Sequence, residues 1–351
     1  MILAGDIGGT KINLALYDWD KERVEPIRED SVWTADYESL EEVLTEFLED
    51  SASTESDVDD ESEDEDDTST KAPPAESPLT AACFGVPGPV LNNTCRTTNI
   101  PWTIEGDKLA EFLKIPNVRL LNDLEATAHG LPLLEPDEIE DLNPNAPSPP
   151  PDGNRALLAA GTGLGESLIV WNGKDYQICP SEGGHADFAP NNDMEIELLR
   201  YIRTSYLHVS YERVLSGPGL HLIYQFLRDT QKNEPTWFAE KIPTADPASL
   251  IAEAGLEGKP EICKQALQLF VSIYGAEAGN MALKALAMGG VYIGGGIAPK
   301  ILPALQDGTL MKSFLAKGRY KRLLGKIPVR VILNPHTALL GAASVAAGMK
   351  P

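Results

Sequence analysis

Positive charge is scarce in this chain next to negative. Its 29 lysines and arginines face 53 aspartates and glutamates, for a formal net charge of -24. Nucleic-acid binding depends on Lys and Arg neutralising phosphates, so the balance argues against a nucleic-acid partner. It argues equally against docking on an anionic membrane surface. Long apolar runs are missing too: none approaches the roughly 20 residues of a membrane helix. Met1 leads straight into ILAGDIGG, without a basic stretch or cleavage signature, so no secretory leader is expected. Cysteine is sparse. Cys83, Cys95, Cys179 and Cys263 are far apart and form no CxxC pair, which fits free thiols in a reducing cytosol. A cytoplasmic protein is the expectation, and the glycosylation-like triplet at Asn92 then carries no meaning.

Hydrophobic residues make up 42% of the 351, enough to bury the cores of two modest domains. One segment stands apart. STESDVDDESEDEDDTSTKAPPAESP (53–78) holds ten acids and no base between Glu55 and Asp67. Like charges at that density stay solvated, so a disordered acidic insertion is predicted there, with an interaction tail as the other reading. Setting aside its net -10 leaves -14 on the rest. NPNAPSPPPDGN (143–154) is a second break, stiffened by proline.

Between the breaks, strand-like and helix-like segments alternate. MILAGDIGG and KINLALYD read as two strands about a turn, and YESLEEVLTEFLE as an amphipathic helix. VRLLNDLEATAHGL reads as a strand running into a helix. RALLAAGTGLGESLIVW again sets two strands around a glycine-rich turn, and GGVYIGGGIAP is a strand entering one. HTALLGAASVAAGM is an apolar helix. Such a mixture implies a layered α/β protein.

Neither glycine turn matches a P-loop. GTGLGES resembles a dinucleotide fingerprint, but SLIVW follows it as a strand where that fingerprint needs a helix. Gly8 and Gly9, and likewise Gly161, Gly163 and Gly165, therefore sit in β-turn-β units. A hairpin tip of this kind can aim backbone N–H groups at an anion, with Thr10 and Thr162 adding hydroxyl donors. A single such turn reads first as plain hairpin geometry. Two in one chain suggest a duplicated architecture whose hairpins face one nucleotide.

Asp6, just before the first turn, is placed either to hold Mg²⁺, directly or through water, or to stabilise the turn as an Asx acceptor. Lys11 fits a phosphate contact or an ordinary surface position. Gly294, Gly295 and Gly296 would let a base or ribose lie on bare backbone. Asp123 reads as an N-cap or as a carboxylate emerging at a strand's end.

Six spaced stretches, GDIGGTK, LLNDLEA, GTGLG, SEGGHADFAP, ERVLSGPGL and GGGIAPK, occur in the order found in the bacterial-type glucokinase family, which the chain resembles over nearly its whole length. That family is part of the hexokinase/actin-like ATPase superfamily. The resemblance implies two α/β domains of actin-like, ribonuclease-H-like fold with a cleft that closes on sugar and ATP. The small domain would hold residues 1–132 and be completed by a C-terminal helix within 329–351; the large domain would span 133–328. It implies phosphorylation of glucose at its 6-hydroxyl, Asp123 as catalytic base, and Asn122, Glu182, His185 and Glu212 as sugar contacts, with Gly163 also near the sugar. Mg-ATP would rest on Gly8–Thr10 and Gly161–Gly163, its adenosine on Gly295 and Gly296, and the metal beside Asp6.

The chemistry agrees. Phosphoryl transfer to a hydroxyl needs positioning, a metal and a carboxylate to accept the proton. Carboxylates and imidazole suit a polyhydroxylated ligand. A homodimer is expected from the resemblance. A related group of sugar kinases binds zinc near a similar Gly-His pair, but no cysteine follows His185 until Cys263, so no zinc is expected. His129, His208, His221 and His336 have no motif context and read as ordinary. Whether Asn99 reaches the ligand stays open. The rival readings are a sugar-responsive regulator without catalysis and an actin-like polymerising ATPase. No DNA-binding segment is expected ahead of Met1, and NDLEA and SEGGH are left idle by the second rival.

Overall fold

The computed structural model describes residues 1–19, 25–53, 79–97 and 100–349. The acidic stretch from residue 54 to 78 and Asn99 lie outside the described residues. The chain divides into two compact units, residues 1–133 with 336–351 and residues 134–335.

The first unit is built on β1 (Ile2–Ile7), β2 (Lys11–Tyr17), β3 (Arg28–Trp33), β4 (Ala81–Val86) and β8 (Asn117–Asn122), in the order β3-β2-β1-β4-β8. A small antiparallel sheet of β5 (Val90–Leu91), β6 (Thr94–Arg96) and β7 (Thr103–Glu105) intervenes in the chain between β4 and β8. β1 and β2 are joined by a tight turn and pair antiparallel, whereas β1–β4 and β4–β8 are parallel. β4, and β1 apart from Asp6, are apolar because helices cover both faces, as parallel strands require. The period of two divides their side chains. Leu3 and Phe84 pack with Val43, Leu44 and Phe47 of the helix Leu40–Ser53. Ile2, Ala4, Ala81 and Cys83 pack with Leu339, Ala342, Ala343 and Ala346 of the helix Thr337–Gly348.

The second unit contains β9 (Ile139–Asp141), β10 (Arg155–Ala160), β11 (Leu164–Trp171), β12 (Tyr176–Ser181), β13 (Gly290–Gly294) and β14 (Val329–Ile332). Their order is β12-β11-β10-β13-β14-β9. An antiparallel meander of three strands is again followed by two parallel ones, so the two sheets repeat one scheme. The helix Glu261–Ala285 is the centrepiece of this core. Phe270, Ile273 and Tyr274 are fully buried, and the helix is apolar nearly all round, as expected of one enclosed by other elements.

Residues 329–335 stay with the second unit rather than opening the C-terminal return expected over 329–351. Val329–Ile332 form β14 in register with β13, Val291 opposite Val329 and Ile293 opposite Val331. The β-branched run VRVI is strand chemistry, and only residues 336–351 return to the first unit.

Candidate functional site

In the first unit the β1–β2 turn is held from two sides. The Gly8 N–H donates to the Lys11 carbonyl at 2.8 Å, and the Thr34 hydroxyl donates to the Gly8 carbonyl at 2.8 Å. The Thr34 N–H donates to the Thr10 carbonyl at 3.0 Å, so the end of β3 clamps the turn while Gly9 and Thr10 remain exposed. The Lys11 ammonium lies 5.0 Å from the centroid of the Trp33 ring.

Asp6 sits on β1 opposite Asn13 on β2. Burial, and then the charge of Asp123, push its carboxyl up to about 6, and the hydrogen bond with Asn13 opposes this. The two acids flank Gly85 of β4, whose missing Cβ would lie 3.8 Å from both the Asp6 Oδ1 and the Asp123 Cα.

β8 ends at Asn122, which is the helix cap. Its Oδ1 accepts from the Leu124 N–H at 3.0 Å, while its Nδ2 donates to the Gly88 carbonyl at 3.1 Å. That fixes the amide and leaves one N–H and one lone pair for another partner. Asp123 is therefore the first helical residue of Asp123–Gly130, not the cap. Its side chain is exposed, and its Oδ1 accepts from the Leu124 N–H at 2.8 Å.

In the second unit the β10–β11 turn is tighter. The Gly161 N–H donates to the Gly163 carbonyl at 2.9 Å, and the Gly217 N–H donates to the Gly161 carbonyl at 2.8 Å. Gly163 admits no side chain: a Cβ there would stand 2.6 Å from the Glu212 Oε2. That same oxygen accepts from the Leu164 N–H at 3.1 Å, and the Glu212 Oε1 lies 3.8 Å from the His185 Nδ1. The Glu212 N–H donates to the Gly184 carbonyl at 2.9 Å. Gly163, His185 and Glu212 thus form one cluster. Glu182 heads the same short turn, with its side chain in solvent.

Beside the cluster opens a pocket of about 560 Å³ lined in part by Gly161, Thr162 and Gly296. Gly295 faces away from it. At φ +83° a Cβ would meet the Ala160 carbonyl oxygen at 2.4 Å, so this glycine serves the turn's packing against β10. The pocket also takes in Gly217, His221, Asp246, Ser249 and Lys300, which the sequence reading did not select. His221 in particular is a pocket residue, not an ordinary surface histidine.

The pocket receives the start of the helix Gly217–Gln231. The Ser216 Oγ caps that helix by accepting from the Gly219 N–H at 3.1 Å. A helix N-terminus carries partial positive charge and suits an anion. Asp246 caps a second helix, Pro247–Glu257; hydrogen bonds from Ser249, then the nearby Lys300, hold its carboxyl below the usual range.

Among the described residues no cluster of three or more His, Cys, Asp or Glu could hold a metal ion, and no helix is long and apolar enough to cross a membrane. A single carboxylate such as Asp6 suits Mg²⁺, which takes few protein carboxylates and completes its shell with water and phosphate oxygens.

The family model described as Glucokinase matches residues 3–349. A glucokinase of Nostoc punctiforme is 40% identical over 362 residues, covering 99% of each chain. Among solved structures, a glucokinase from an Antarctic psychrotroph superposes with a TM-score of 0.81 at 26% identity, covering 99% of this chain and 98% of that one. A ROK family glucokinase from Streptomyces griseus, in complex with glucose and AMPPNP, gives 0.60 at 20% identity with 99% of both chains covered; at that identity it bears on the fold alone.

Proposed function

The chain belongs to the glucokinase family, and from that membership we propose that it transfers the γ-phosphoryl group of ATP to the 6-hydroxyl of glucose. One observation carries this reading. A glycine hairpin recurs at the same place in two sheets that share a five-strand scheme, one beside Asp6 and Asp123, the other opening on the 560 Å³ pocket.

Each unit then has its own work. In the first, Asp123 accepts the proton of the sugar hydroxyl as its oxygen attacks phosphorus, and the cap bonds of Asn122 fix the backbone from which Asp123 projects. The Gly8–Thr10 turn receives phosphate at its exposed Gly9–Thr10 edge, the Gly8 N–H being held by the Lys11 carbonyl. In the second, Gly161–Gly163 and the start of the helix Gly217–Gln231 receive phosphate, and the pocket with Gly296 receives the nucleoside. Glu182, His185 and Glu212 take the sugar hydroxyls, Glu212 being oriented by the Leu164 N–H. Asp6 would hold Mg²⁺, directly or through water, and the ion would spread the charge of the transferring phosphoryl group.

A site made of such hydrogen bonds rejects a sugar lacking one hydroxyl, because its polar groups stay unmatched. The reading extends to a homodimer and a cytoplasmic setting.

The test is glucose 6-phosphate formation from glucose and Mg-ATP, wild type against Asp123→Asn. Turnover by the wild type and a loss of at least ~10²-fold in a folded variant is the expected result. A wild type that binds glucose yet forms no phosphate ester would overturn it.

A further inference from the structure

On the second unit, a separate pocket of about 280 Å³ lies where the helix Thr309–Phe314 and its following turn meet the helix Glu261–Ala285 and the Asn191–Asn192 loop. Its lining mixes apolar surface with cationic and hydroxyl groups. Lys312 and Lys317 supply two ammonium groups, with hydroxyls from Ser272, Ser313 and Thr309. One acid, Glu195, is present, and both its oxygens are spent: one accepts from the Asn191 N–H at 2.6 Å, the other from the Asn192 amide at 2.8 Å. Among the described residues neither lysine is in an ion pair; Lys317 donates to the neutral Asn280 Oδ1 at 2.6 Å. In a chain of net charge -24 the pocket gathers two cations beside one lining acid, and the charges of Glu277 and Glu195 favour the Lys317 ammonium.

The pocket is wired to the sugar-recognition cluster. Asn280, held by Lys317, donates through Nδ2 to the Tyr211 hydroxyl at 2.9 Å and to the Glu277 Oε2 at 2.7 Å. Tyr211 adjoins Glu212, and its N–H donates to the Ala186 carbonyl at 3.0 Å, directly after His185. Lys317 to Asn280 to Tyr211 is thus a continuous path of hydrogen bonds ending at the residues that carry Glu212 and His185.

We infer that this pocket binds a small phosphorylated ligand and that its occupancy alters sugar affinity through Asn280 and Tyr211. A phosphoryl dianion matches two ammonium groups flanked by hydroxyl donors, and the volume suits a small metabolite. Burial holds the Lys317 ammonium below its usual range, so an incoming anion relieves a charge that burial disfavours. The coupling rests on the sugar-site reading above; the binding does not. Two sources share the chemistry, free phosphate and a hexose phosphate such as the reaction's own product.

The test is calorimetric titration of the full chain with inorganic phosphate and, separately, with glucose 6-phosphate, followed by glucose titration with and without saturating phosphate. The expected results are phosphate binding on the order of 1 mM or tighter, weakened at least ~10-fold in Lys312→Gln and kept in Lys312→Arg. Tighter binding of glucose 6-phosphate, lost in the same variant, would name the hexose phosphate as the source; equal binding would name free phosphate. Phosphate should shift glucose affinity about 5-fold or more, and Asn280→Ala should keep phosphate binding while losing that shift. Phosphate binding that is absent, or unchanged in Lys312→Gln, overturns the site; binding without any shift overturns the coupling. None of these measurements needs turnover, so a chain inactive as a kinase would still give a readable answer.

Discussion

At the scale of single residues, the sharpest constraint is steric. Gly163 faces the Glu212 carboxylate with no room for a methyl group, a Cβ falling 2.6 Å from Oε2. In Gly163→Ala the carboxylate must swing away and lose the Leu164 N–H. Overpacking of this kind costs about 1–3 kcal/mol. The expected outcome is a glucose KM raised roughly 10-fold, with nucleotide affinity little changed; an unaltered KM would remove Glu212 from the sugar site. Glu166 offers a pH test. It is 1% exposed on β11, both carboxyl oxygens are buried without a hydrogen-bond partner among the described residues, and Gly183 of the Gly183–His185 turn packs against it. Burial, then the charge of Glu277, raise its carboxyl to about 7, with Lys284 opposing. The folded state therefore holds this proton more tightly than the unfolded chain. Its contribution to stability is complete below the ordinary carboxylate range and is lost as pH rises through about 7. Denaturant unfolding should show the wild type losing on the order of 2 kcal/mol between pH 5 and pH 8 through this group. Glu166→Gln should flatten that slope, and an unchanged slope would assign it to other groups.

At the scale of elements, the glycine hairpins were readable because their signals are local. Alternating apolar residues mark the strands, and glycine beside threonine marks the turn. The same holds for β8 running into the helix Asp123–Gly130, although the residue that caps it is Asn122 and Asp123 is the first residue of the helix. The pocket beside the second hairpin was not readable in full. His221, Asp246 and Lys300 come from three stretches far apart in sequence, and only tertiary packing brings them together. Asp246 followed by Pro247 does signal a helix start, but a cap signature says nothing of a ligand. β14 was missed for a related reason: a four-residue strand gives a short apolar run, and its partner β13 lies distant in the chain. The helix Gly217–Gln231 is where an element-scale prediction belongs. The Ser216 Oγ both accepts from the Gly219 N–H and donates to the Glu212 carbonyl at 2.8 Å, tying the helix start to the cluster of Gly163, His185 and Glu212 proposed to take the sugar. Ser216→Ala should lower unfolding stability by about 1 kcal/mol. Glucose and nucleotide affinities should weaken together, by titration, because both sites share this anchor.

At the scale of the whole molecule, the repeated sheet order explains why two similar turns occur in one chain: each is the first hairpin of the same five-strand scheme. The charge balance acts on function at this scale. A net charge of -24 repels anionic Mg-ATP, and the repulsion reaches as far as salt allows. At about 0.01 M ionic strength the screening length is roughly 30 Å, comparable with a small domain, and near 0.15 M it is about 8 Å. The second-unit pocket offers local attraction through Lys300 and the helix start, which act at contact distance and are screened less than the diffuse field. Raising salt over this range should therefore increase kcat/KM for Mg-ATP, the reverse of what a cationic nucleotide funnel would show. Neutralising the ten acids between Glu55 and Asp67 leaves a net charge of -14 on the chain. That variant should start from a higher kcat/KM at low salt and rise less steeply, converging with the wild type near 0.15 M, where the field has shrunk to contact range. Coincident curves at every salt concentration would show that the segment's charge does not reach the nucleotide's path.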